Sequence, residues 1–142
     1  MRRIVLIACS KSKLDRPTPA AEVYQGGLFK LSLRYARSLE PDAIYILSAK
    51  YGLVPLRRKL KPYDKTLNTM SRAEIARWAE QRVLPALRRV SNLKTDAYVV
   101  LAGTKYRRDL QPHLENVRVP LKGRRIGEQL QYLKRRLHER VR

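Results

Sequence analysis

The chain has 142 residues, 44% of them hydrophobic, enough for one domain that buries roughly two-thirds of its unfolded surface without disulfide or metal staples. No apolar run approaches the ~18 residues of a bilayer-spanning helix, and the single cysteine, Cys9, leaves no internal disulfide partner, which fits a reducing, cytoplasmic setting. Thirty-two Lys and Arg face twelve Asp and Glu, a net charge of +20; this excludes a surface of balanced ion-pair networks and asks for a polyanionic partner.

The first predicted element is a strand over Arg3 to Ala8. Met1 to Ala8 is basic and then apolar, but lysines follow Cys9 at once, so the segment reads as a strand and not as a signal peptide. A loop from Cys9 to about Glu22 carries Pro17 and Pro19, which resist regular structure. A helix is predicted from about Gly27 to Leu39, with Leu28, Leu31, Tyr35 and Leu39 at helical spacing. A second strand, Ala43 to Ser48, opens after Pro41-Asp42, and an irregular stretch then runs from Ala49 to Met70. Ser71 and Glu74 form a capping box that starts a helix with Ile75, Trp78, Ala79 and Val83 inward, and Pro85 should kink this helix or end its first part. A third strand covers Ala97 to Leu101, a short helix follows Gly103, and a fourth strand lies around Val117 to Val119. The last helix, from about Ile126, sets Ile126, Leu130, Leu133, Leu137 and Val141 on one face and Lys134, Arg135, Arg136 and Arg140 on the other.

This alternation predicts a single α/β domain over residues 1–142, a three-layer fold with a mostly parallel, roughly four-stranded sheet flanked by helices. In such sheets ligands bind at the carboxyl ends of the strands. The first strand ends in Cys9-Ser10-Lys11-Ser12-Lys13, and the second in Ser48-Ala49-Lys50-Tyr51-Gly52. The third runs into Gly103-Thr104-Lys105-Tyr106, and the fourth into Leu121-Lys122-Gly123-Arg124-Arg125. Small or hydroxyl residues followed by a cation, four times over, predict a phosphate-binding rim along one edge. Arginine outnumbers lysine 21 to 11, and guanidinium forks match phosphate oxygens and stack on bases. DNA is therefore the expected partner, with RNA open because phosphate affinity does not distinguish the sugars. No helix has the clean basic-versus-apolar split of a membrane binder, so no membrane partner is expected; a monomer or weak homodimer is.

No glycine pattern for ATP or NAD is present. His113 and His138 stand apart, and one cysteine gives no zinc set, so no cofactor and no metal are expected. Cys9 has two readings, a nucleophile whose pKa Lys11 and Lys13 lower, or a small buried cysteine closing its strand. Asp64 also has two. Among cations it is a carboxylate that activates water or stabilises an oxocarbenium-like sugar, or it bonds the backbone of its own turn. Tyr51, Tyr63 and Tyr106 fall in the edge loops beside cations, a combination that suits stacking on an extruded or single-stranded base. Tyr24 is a weaker candidate, and Tyr35, Tyr45 and Tyr98 read as core.

The ordered series Cys9-Ser10-Lys11-Ser12-Lys13, Leu47-Ser48-Ala49-Lys50-Tyr51-Gly52-Leu53, Pro62-Tyr63-Asp64 with Thr66-Leu67, Ala102-Gly103 with Tyr106, and Leu121 to Gly127 resembles an uncharacterised microbial and phage domain family over nearly the whole chain. More distantly, the LSAKYGL and PYD segments are similar to the peroxide-stress YaaA family, which is associated with DNA binding and protection against oxidative DNA damage. The chain departs from that family at the first motif, where no matching cysteine is expected. Related domains occur beside enzymes of deazaguanine and other base modification and look like the uracil-DNA glycosylase type of parallel sheet. The resemblance implies a nucleic-acid-linked role on bases and carries no particular reaction.

The leading expectation is thus a DNA glycosylase or base-processing enzyme in repair or modified-DNA metabolism. Lys11, Lys13, Arg124 and Arg125 grip phosphates, Tyr51 and Tyr63 stack on the base, and Asp64 works at the sugar with Lys50 or Lys11. A lysine whose pKa falls on burial adds Schiff-base lyase chemistry. The alternatives are a noncatalytic DNA- or RNA-binding protein of a stress response and a nucleotide or nucleoside hydrolase.

Overall fold

In the computed structural model residues 1–141 are described, with side chains through Glu139. Three parallel strands, β1 (Arg3–Ala8), β3 (Ala43–Ser48) and β6 (Ala97–Leu101), form the centre of the sheet, with the two-residue strand β2 (Thr18–Pro19) lying between the first two in sequence. Each central strand is a short apolar run because both of its faces are covered. In β1, Ile4 and Leu6 point to one layer while Val5 and Ile7 point to the other, and all four are buried.

The first layer is a long bent helix. It begins as α3 (Arg72–Arg77), widens into a π-helical turn over Trp78–Val83, and continues as α4 (Leu84–Val90). The predicted capping box is formed: the Ser71 hydroxyl accepts from the Glu74 amide, and the Glu74 carboxylate accepts from the Ser71 amide. Pro85 does not end the helix. The wide turn just before it absorbs the missing hydrogen bond, as π-bulges do. The opposite layer pairs α2 (Gly27–Ser38) with the terminal α6 (Ile126–Val141).

The sheet has five strands in the order β4-β3-β1-β6-β7, where β4 is Gly52–Pro55 and β7 is Asn116–Arg118. β7 is parallel, and β4 is an antiparallel edge that turns back directly from β3. The stretch expected to be irregular thus contributes a strand. It also contributes β5 (Lys59–Leu60), which pairs with β2 in a small second sheet. The loop after Cys9 likewise holds α1 (Ala20–Val23), whose first amides donate to the Arg58 and Leu56 carbonyls.

Two expected helix faces shift. In α2 the inward residues are Phe29, Ser32, Leu33, Tyr35 and Ala36, with Leu28, Leu31 and Leu39 at the margins. In α6 Leu133 is fully buried, whereas Ile126 is 59% exposed. Lys134, Arg135 and Arg136 face solvent; the expected positions of Arg140 and Val141 lie outside the described side chains. The remaining short helix is α5 (Thr104–Arg107), directly after β6. No described helix is long and apolar enough to cross a membrane.

Candidate nucleic-acid interface at the strand ends

β1 connects through α2 to β3 on one side, whereas β6 continues to β7 on the other. The chain therefore leaves neighbouring strands β1 and β6 in opposite directions, which opens a crevice beyond their carboxyl ends. A cavity of about 420 Å³ lies there, between Cys9, Ser10 and Lys11 on one side and Ala102 and Gly103 on the other. Its size falls in the usual range of ligand pockets. No Asp or Glu lines it.

Beside this crevice the tyrosines form a connected cluster. The Tyr63 hydroxyl lies 2.7 Å from the Tyr24 hydroxyl and 2.8 Å from that of Ser48. Ser48 is buried; its hydroxyl also accepts from the Tyr51 amide, and its carbonyl accepts from the Trp78 indole N–H at 2.8 Å. On the crevice side the Cys9 thiol and the Tyr106 hydroxyl are 3.3 Å apart, and the Tyr106 ring meets Trp78 edge to face. Cations then cover the outward rings. The Lys13 ammonium stands 4.3 Å from the Tyr63 centroid, and Lys50 and Arg58 stand 5.3 and 5.1 Å from that of Tyr51.

Burial sets the titration behaviour. It raises Tyr24 to about 12 and pushes Tyr63 and Tyr106 higher still, since a phenolate loses its hydration there. Burial also lowers Lys13 from its usual range, against the pull of the nearby Cys9 and Asp64. A raised phenol pKa means that the folded state holds its proton where the unfolded state, near 10, has released it. Stability is then kept below about pH 10 and falls as pH rises beyond it. An alkaline titration followed by tyrosinate absorbance should leave Tyr24, Tyr63 and Tyr106 un-ionised at about pH 11, to ionise only with unfolding. Full ionisation of all eight tyrosines at that pH in a folded chain would contradict the cluster.

The sequence-predicted residues divide into three groups. Cys9, Ser10, Lys11 and Gly103 line the crevice. Ser48, Tyr51, Tyr63, Lys13 and Lys50 form the tyrosine side, and Tyr106 joins the two through Cys9. The buried-cysteine reading of Cys9 is partly met, as the thiol is half-buried and bonded to Tyr106. Ser12 acts through its carbonyl, which accepts from the Ser10 hydroxyl and the Gln25 amide. Gly52 turns β3 into β4 at φ +77°, where a Cβ would crowd the Arg82 carbonyl at 3.3 Å; its role is the turn.

Three expected placements do not hold. Arg124 folds onto Tyr132 of α6, 4.4 Å from the ring centroid, with its Nε donating to the Pro120 carbonyl. Arg125 is exposed, its amide donating to the Glu128 carboxylate, and neither arginine lines the crevice. The turn at Gly123, φ +76°, redirects the chain into α6. Asp64 is exposed and makes no hydrogen bond or ion pair among the described residues; its influence is electrostatic, on Lys13. It is therefore neither the partner of Lys11 or Lys50 nor a cap of its own turn. The rings of Tyr51 and Tyr63 already carry cations on their faces, so they are not bare stacking platforms.

Sequence reading passed over Ser32, Asn68 and Gln129, which also line the cavity, and undervalued Tyr24, which is 1% exposed. Ser32 had a legible trace, a hydroxyl among the inward residues of α2. No group of three or more His, Cys, Asp or Glu among the described residues could hold a metal.

Fold and crevice together define a mostly parallel α/β domain with a pocket at its topological switch point and a cation-covered tyrosine cluster beside it. The chain belongs to a family of unknown function, DUF6884, whose model matches residues 4–135. No curated protein and no solved structure matches the chain, and the expected likeness to the peroxide-stress family and to uracil-DNA glycosylases draws no support from these comparisons.

Proposed function

We propose that this protein binds nucleic acid, DNA or RNA, along the carboxyl edge of its sheet and takes a nucleotide into the crevice between β1 and β6. The charge imbalance carries this reading. The chain has twenty more cations than anions, and only two ion pairs form among the described residues. Lys13, Lys50 and Arg58 gather on the tyrosine pair instead, and Arg57, Lys59 and Lys61 nearby in sequence are exposed. Phosphates are the partners such an arrangement favours. Anisotropy of labelled duplex and single-stranded DNA and of single-stranded RNA tests it. Binding that weakens steeply with salt is expected, and absence of binding to all three at low salt would overturn the reading.

A base-processing reading with lyase chemistry has one observation behind it, the lowered pKa of the half-buried Lys13 next to Cys9 and Asp64. As a neutral amine, Lys13 would add to the C1′ aldehyde of an abasic sugar and expel water, leaving an imine. Borohydride would then reduce that imine to a stable covalent complex with abasic DNA, absent in Lys13→Ala. A wild-type protein that binds abasic DNA without being trapped is a binder only.

A further inference from the structure

We infer that the amino-terminal turn of α2, where it opens into the switch-point cavity, is a receptor for a phosphate monoester. This deepens the nucleotide-binding reading above and rests on it for the purpose of the cavity. α2 has twelve residues and begins at Gly26-Gly27 with no side-chain cap and no acidic residue in its first turn. The amides of Gly27, Leu28 and Phe29 donate to nothing among the described residues, whereas that of Gly26 is taken by the Ser10 hydroxyl at 3.2 Å. Three free N–H groups and the positive end of the helix macrodipole thus meet at one spot.

The second observation is independent of the helix end. Ser32, one turn further along α2, is 2% exposed, lines the same cavity, and forms no hydrogen bond among the described residues. The buried Ser48 hydroxyl on the tyrosine side, by contrast, is engaged by Tyr63 and the Tyr51 amide. The Ser32 hydroxyl faces the cavity and no protein partner, so a ligand oxygen there can accept its proton. Lys11 adds a cation at the mouth, while Leu28, Phe29 and Leu101 give the cavity apolar walls against which a nucleoside can pack. No carboxylate lines the cavity to repel an anion.

A monoester differs from an internal diester in its second negative charge and its third free oxygen, and three amides, a serine hydroxyl and a lysine suit that surplus of acceptors. The ligand is either a free nucleoside monophosphate or the 5′-phosphorylated end of a nucleic acid strand, and the experiment separates the two. Oligonucleotides identical but for a 5′-phosphate or a 5′-hydroxyl are compared by anisotropy, and AMP with adenosine by calorimetry. The phosphorylated member of at least one pair should bind about tenfold tighter, the size of one strong charge-assisted hydrogen bond. Ser32→Ala should reduce that preference to about threefold.

Gly27→Asp should abolish it, because a carboxylate at the first helical position occupies the free amides. A Cβ on Gly27 meets nothing within 4 Å, so this variant should fold with unchanged or higher melting temperature. A preference in the oligonucleotides points to the strand end, and one confined to AMP points to the free nucleotide. If AMP binds while no oligonucleotide does, the phosphate site stands and nucleic-acid binding falls. Equal binding within both pairs overturns the phosphate site while leaving nucleic-acid binding intact. A preference undiminished in both variants overturns it too, since the phosphate then sits elsewhere.

Discussion

Raising salt from about 50 mM to about 200 mM will weaken binding of a DNA duplex by roughly 10³-fold. Each phosphate neutralised by Lys or Arg releases condensed counterions, so the logarithm of affinity falls with the logarithm of salt at about 0.9 per contact. Lys11, Lys50 and Arg58 stand at the strand ends, and Arg57, Lys59 and Lys61 are exposed on the segment that follows β4. About six contacts give the predicted loss. Arg124, just before α6, and Arg136 within it answer to a different geometry, because both are held on the Tyr132 ring. Replacing Lys50 and Arg58 by glutamine should therefore lower the slope by about two, whereas replacing Arg124 should leave it nearly unchanged. A slope equally sensitive to both sets would mean that the whole surface is a diffuse counterion and no edge is preferred.

This contrast also marks what could be read from the residues alone. Lys11, Lys50 and Arg124 look alike as sequence, each a cation just beyond a predicted strand. What separates them is three-dimensional: the left-handed turn at Gly123 hands Arg124 to an aromatic ring supplied by the next helix. Asp64 differs from its neighbour for a similar reason. Two hydroxyl partners pin Tyr63 inward, and the residue after it then faces water.

The central strands were legible because burial on both faces leaves an unbroken apolar run. β4 was not, since an edge strand of four residues ending in Pro55 has neither the length nor the alternation to declare itself, and its turn lacks an Asn-Gly or Asp-Gly pair. β2 and β5, two residues each, exist only because the chain returns to pair them. The crevice-forming residues at the ends of β1 and β6 were found by topology, which sequence alternation carries well. Ser32 lay on a helix instead of a strand end, so the rule that found the others passed it by.

Trp78→Ala should cost about 3–5 kcal/mol of stability, a large share of the ~5–15 kcal/mol that a domain of this kind holds. Trp78 is 5% exposed at the start of the π-helical turn and fills the core layer beneath the site. Truncation leaves a cavity and removes the donor to the Ser48 carbonyl, an acceptor too deep for bulk water to replace that bond cheaply. Trp78→Phe keeps most of the packing and loses the indole N–H, so about 1–2 kcal/mol is expected. Urea unfolding followed by circular dichroism measures both, tryptophan fluorescence being lost with the only tryptophan in the chain. The consequence for the site follows from the edge contact with Tyr106, the phenol bonded to the Cys9 thiol. Once that ring is freed, Cys9 should react faster with a disulfide reagent in folded Trp78→Ala than in wild type. Unchanged thiol reactivity in a destabilised but folded variant would show that Trp78 supports the core without positioning the crevice.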